Sequence, residues 1–143
     1  MRNSRRWTVG PLVMLVLLLS ACAPVEEEDT AGYGGAQIEA IEGTDLVRVT
    51  MEERAAERLG MQSTPVRNAG SQKVIPYAAV FYGASGETWT YITPEPQIFE
   101  RAPIEIDRIK GDRVFLSDGP PSGTEVVTQG SAELFGIETG IDQ

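Results

Sequence analysis

The strand-forming runs of this chain are short, and glycine or proline separates almost every one from the next. Residues 46–50, 61–67, 73–82, 87–92, 98–106, 113–116 and 124–128 are each rich in β-branched, aromatic or other apolar residues. Between them stand Asn68-Ala69-Gly70, Gly83-Ala84-Ser85-Gly86, Pro94-Glu95-Pro96, Lys110-Gly111-Asp112 and Asp118-Gly119-Pro120-Pro121-Ser122-Gly123. Turn residues at this interval hold each segment to strand length and leave little room for helix. The chain reads as mainly β, a small β-roll or barrel of about six to seven short strands with one short helix near its start.

That helix is placed by Thr50-Met51-Glu52-Glu53, which fits a capping box with Thr50 as N-cap and Glu53 reaching back. Met51, Ala55 and Leu59 then share one face, and Gly60 supplies the left-handed stop. In the strands, Pro65 predicts an edge position, because proline donates nothing to a ladder. Pro76 marks a strand entry within residues 73–82. Alternation puts Trp89 and Tyr91 on one face of their strand, with Thr88, Thr90 and Ile92 on the other. Ala102, Ile104 and Ile106 face inward, and Arg101 and Glu105 outward. The tail from Ser131 holds at most a turn of helix at Ala132-Glu133-Leu134 before fraying.

The first 36 residues follow different rules. Arg2, Arg5 and Arg6 precede an uninterrupted apolar run at 12–19, and small residues lead to Cys22. A basic start, a short apolar core and a small-residue cut site make a secretory signal. The run is far short of the ~20 residues that a membrane-spanning helix needs. Leu19-Ser20-Ala21-Cys22 resembles the lipobox of bacterial lipoproteins. The resemblance implies that the Cys22 thiol receives a diacylglycerol and becomes the mature N-terminus. Residues 1–21 are then the signal peptide. Residues 22–36 are a lipidated, acidic and flexible tether, and residues 37–143 form the β-rich domain. Acyl chains bind bilayers at about 0.8 kcal/mol per buried methylene, so two or more hold a protein stably. The expected location is the cell envelope, on the extracytoplasmic face of a membrane.

Composition narrows the chemistry. Beyond residue 21 the chain keeps 9 basic and 21 acidic residues, a net charge of −12. So acidic a body suits neither nucleic acid nor an anionic lipid surface, and no nucleic-acid partner is expected. There is no histidine, and Cys22 is the single cysteine. This removes the commonest general base, and thiolate chemistry with it. No catalytic residue, metal site or cofactor is assigned. Met51 and Met61 read as packing residues before copper ligands, and Glu26 to Asp29 as a solvated linker before a calcium site. Asp107, Asp112 and Asp118 read as turn residues before a hydrolytic set. Tyr82, Trp89 and Tyr91 are the candidate partner-binding residues, with cross-strand core pairing as their competing role.

The order of the strands carries a family resemblance. Val74-Ile75-Pro76-Tyr77-Ala78-Ala79-Val80, the hairpin at 83–86, Thr88-Trp89-Thr90-Tyr91-Ile92 and Phe99-Glu100-Arg101-Ala102-Pro103-Ile104 stand in sequence. Gly111-Asp112-Arg113-Val114 and Glu125-Val126-Val127-Thr128-Gln129-Gly130 follow. Together with residues 49–66 they resemble the membrane-proximal domain of periplasmic adaptor subunits, the membrane fusion proteins of resistance-nodulation-division efflux pumps. Pro65-Val66 runs within ten residues into the returning strand. The family's barrel, lipoyl-like and hairpin segments have no counterpart there. The resemblance implies a non-catalytic domain that docks on or modulates a membrane transporter. The alternative is a small-ligand or metal-binding lipoprotein.

Overall fold

A computed structural model describes residues 34–140. The chain is mainly β, as its punctuation requires, with eleven strands in two antiparallel sheets and two α-helices. Sheet A has seven strands. Six lie in the order β1 (Ala36–Ala40), β2 (Val47–Met51), β8 (Ile98–Pro103), β7 (Thr88–Glu95), β11 (Glu125–Gln129) and β3 (Gln62–Pro65). The two-residue β6 (Phe81–Tyr82) also pairs with β7. Sheet B holds β4 (Arg67–Ala69), β5 (Gln72–Pro76), β10 (Arg113–Asp118) and β9 (Glu105–Lys110), in that order. Neither sheet closes into a barrel.

The strand count exceeds the expected six to seven for three reasons: two long runs each turn a corner, a 3₁₀ turn at Tyr77–Ala79 cuts β6 from β5, and β1 forms ahead of the first expected run. Residues 62–69 pass from sheet A to sheet B at Val66, and residues 98–110 do so at Ile104. Each corner is a single buried residue. The Val66 N–H bonds the Thr124 carbonyl (2.8 Å), and the Ile104 N–H bonds that of Thr88 (3.1 Å). The corner side chains then drop into the space between the sheets. A proline stands immediately before each corner, Pro65 before Val66 and Pro103 before Ile104, and ends the sheet A strand there because it has no N–H to donate to a ladder.

Two apolar cores result. The first gathers Val49, Met51, Tyr91, Phe99 and Val127 from sheet A under Ala55 of α1 (Glu53–Arg58) and Leu134 and Ile137 of α2 (Ser131–Thr139). The second lies between the sheets, built on Ile75, Val114, Leu116 and Val126 with the corners Val66 and Ile104. Adjacent residues Val126 and Val127 serve opposite cores, as the two-residue strand period demands. The order of layers is helices, sheet A, sheet B.

Several local expectations change. Thr50 is not a cap. It pairs with Gln37 and Ile98 inside β2, and these ladders outcompete a side-chain cap. The N-cap is Glu52, and α1 is six residues long. Ala36 opens β1 opposite Met51 and is buried, so the fold begins before residue 37. Beyond Pro76 the chain makes a 3₁₀ turn (Tyr77–Ala79) instead of continuing a strand. The tail is a nine-residue helix held between Gly130 (φ 102°) and Gly140 (φ 67°). Gly130 holds a positive φ that side chains with a Cβ rarely adopt, and a Cβ there would also press on the Met61 side chain, so the entry to α2 favours glycine. Pro65 does lie on an edge strand, and Gly60 (φ 64°) does end α1.

Candidate partner-binding site

The three candidate aromatics separate. Trp89 and Tyr91 share the helix-covered face of β7, while Tyr82 pairs with Thr88 at the other end of the short β6 ladder. Tyr91 is 1% exposed and Tyr82 is 53% exposed. Tyr91 therefore cannot belong to a contact surface, because α2, which sequence did not foresee at this length, covers it. Its ring stacks on Phe81 with centroids 4.9 Å apart.

Beneath α2 the covered face carries a polar cluster within the apolar core. The Tyr91 hydroxyl donates to the Glu138 carboxylate, and Arg101 Nη2 lies 2.9 Å from the other carboxylate oxygen. Tyr91 and Arg101 are direct cross-strand partners in the β7–β8 ladder. The Arg101 guanidinium sits 4.6 Å from the Trp89 ring centre. Burial, and then the Glu138 carboxylate, push the Tyr91 hydroxyl well above the ordinary phenol range, so it stays a neutral donor. Arg101 was expected to point outward. It points under α2 instead, because sheet A has no bare face in this region: helices cover one side and sheet B the other. The cluster ties a helix to a sheet, and Tyr91 and Glu138 are too enclosed to meet a partner, while Trp89 is half-buried at its edge.

What reaches the surface is a different pair. Tyr82 lies beside Tyr77, which is 46% exposed. The Tyr77 hydrogen bond holds the Tyr82 phenol above its ordinary pKa. Sequence pattern missed Tyr77 because it reads as one more residue of a strand. Its exposure comes from the 3₁₀ turn, anchored where the Tyr77 N–H bonds the Asp112 carbonyl at 2.7 Å. Exposed tyrosines present apolar area with a polar tip, a composition common at contact surfaces.

Compared with protein-family models, curated proteins and solved structures, the chain matches none. The site must be read from its own geometry. Met51 and Met61 both pack into the first core. Asp107 accepts from Gln72 (2.9 Å) and Arg108 (2.7 Å), Asp118 lies 3.8 Å from Lys73, and Asp112 sits in the β9–β10 turn. Each aspartate thus has its own neighbours. Among the described residues no group of three or more His, Cys, Asp or Glu gathers as a metal set. Cys22 and the Glu26–Asp29 stretch lie outside the described residues. No helix among the described residues is long and apolar enough to cross a membrane.

Proposed function

We propose that this chain is a lipid-anchored, extracytoplasmic and non-catalytic β-domain that docks on or modulates a membrane transporter. The observation that carries the reading is Leu19-Ser20-Ala21-Cys22 at the end of a short apolar run with a basic start. The reading is supported by strand order similar to the membrane-proximal domain of efflux adaptor subunits. A mainly β body with two packed cores is consistent with it. Tyr82 of the predicted aromatic set, joined by the unpredicted Tyr77, offers exposed aromatic surface to a transporter.

The test is fractionation of cells expressing the native chain or Cys22→Ser. The native protein should pellet with membranes and resist a high-salt wash, while the serine variant should appear in the soluble fraction. Membrane retention of the variant through the wash would overturn the anchor. Crosslinking through a photoreactive residue at position 82 tests docking separately. It should yield one discrete adduct with an integral membrane protein, and no adduct would count against a transporter partner.

A further inference from the structure

The outer face of sheet B carries a built groove that the anchoring and docking reading does not use. It encloses about 260 Å³ and includes Pro65, Arg67, Val74, Pro76, Asp112 and Arg113 in its lining. The ladders explain how these residues meet. Arg67 stands opposite Val74 on one side of β5, and Arg113 stands opposite Pro76 on the other. Val74 and Pro76 are two residues apart, so both point outward with the arginines. The two arginine backbones are about 12 Å apart across β5, a gap that two long side chains can close around one small group.

The chemistry of the lining is selective. Four basic side chains make ion pairs among the described residues: Arg48, Lys73, Arg101 and Arg108. Arg67 and Arg113 are not among them. The floor between them is Val74 with Pro76 and Pro65, and neither proline has a backbone N–H to offer. Asp112 adds one carboxylate to the rim. Two guanidiniums and one carboxylate leave a single net positive charge over an apolar floor. That balance suits a monoanion better than a phosphate-rich dianion. The volume falls just below the ~300 Å³ at which drug-sized pockets begin, so the ligand must be small or chain-like.

We propose that this groove binds a small amphipathic monoanion, a carboxylate with an apolar chain. The head lies between Arg67 and Arg113, and the chain lies along Val74, Pro76 and Pro65. The body's overall negative charge disfavours anions at a distance, so retention comes from these local contacts.

The test photolabels the full chain in zwitterionic nanodiscs with a diazirine-bearing decanoate, and with the matching alcohol. The Arg67→Gln/Arg113→Gln double variant and an Arg54→Gln control on α1 are labelled alongside. Decanoate should label peptides holding residues 64–76 and 112–113. The double variant should lose about tenfold or more of this label, the control should keep it, and the alcohol should label at least tenfold less. Equal labelling by the alcohol would overturn the proposal. So would undiminished labelling of the double variant, or an equal loss in the control. The unlabelled protein is also mixed with anionic phospholipid vesicles. If the arginine pair governs vesicle binding while decanoate leaves no label in the groove, the face meets a lipid surface and the proposal falls. Circular dichroism melts check that the surface variants remain folded.

Discussion

Sheet A and sheet B divide the work of this molecule differently. The four strands of sheet B with the β9–β10 turn carry five basic and four acidic side chains, net +1. The rest of the described chain carries four basic and twelve acidic ones, net −8. Around β7 and β11 sheet A is covered on both faces, by helices on one and by sheet B on the other. Sheet B is covered on one. Its outer face has Phe115 and Val74 at its centre, shielded by an Arg108 guanidinium 4.0 Å from the phenyl ring centre. Net charge alone described a uniformly acidic body. The fold sorts that charge, so one face offers cations that the total conceals.

The comparison is broken most severely at the clamp over sheet A. Glu138→Ala leaves Arg101 and the Tyr91 hydroxyl under α2 without their shared acceptor. It should cost about 3–5 kcal/mol in denaturant unfolding, the range for removing one partner of a buried pair. Leu134→Ala, a fully buried residue of the same helix, should cost about 3 kcal/mol. A loss below about 1 kcal/mol in both would mean that α2 is not part of the core.

That helix was the least legible part of the sequence. Leu134, Phe135 and Ile137 are consecutive enough to blur any helical stripe, and Gly136 interrupts them. What fixes α2 is tertiary: a receptive sheet face and the carboxylate of Glu138. The Thr50 capping box failed for a related reason, since strand pairing on both sides of β2 took the residue first. The strands themselves were legible because β-branched runs and glycine turns act locally. The corners at Val66 and Ile104 are marked only by the prolines before them, Pro65 and Pro103; that each segment crosses to the other sheet is set by which sheet offers a partner. Of the candidate site, sequence left Tyr82 between an exposed contact and a cross-strand core pair, and the fold exposes it because β6 is only two residues long. The groove was not, because β4, β5 and β10 bring Arg67 and Arg113 together from distant sequence.

The two sheets should also titrate at opposite ends of the pH scale. The Tyr91 pKa is raised above its ordinary 10.0 in the folded state. Its contribution is whole below pH 10 and is lost as pH rises toward the higher folded value, at up to about 1.4 kcal/mol per pH unit. Tyr91→Phe should flatten this alkaline decline in chemical unfolding curves, at a cost near neutrality of about 1–2 kcal/mol. In sheet B, Gln72 and then Arg108 hold the Asp107 carboxyl below its ordinary 3.8. Its contribution is present above that value and is lost as pH falls through the lowered one. Asp107→Asn should therefore flatten only the acid limb. If each substitution altered the other's limb, the sheets would not be separable.

The smallest expected effect is on the open face. Arg67→Gln and Arg113→Gln should each change stability by less than about 0.5 kcal/mol, because exposed side chains without ion pairs contribute little to folding. A larger loss would make the groove a structural element, and the contrast between the sheets would weaken.

Amide hydrogen exchange on the full chain measures that contrast most directly, since exchange reports how often each ladder opens. Amides in residues 90–92 and 126–127, enclosed between two cores, should exchange only with global unfolding, while those of the sheet B edge strands β4 and β9 should exchange much earlier. Equal protection of β4, β9, β7 and β11 would contradict the division of one enclosed sheet and one open one.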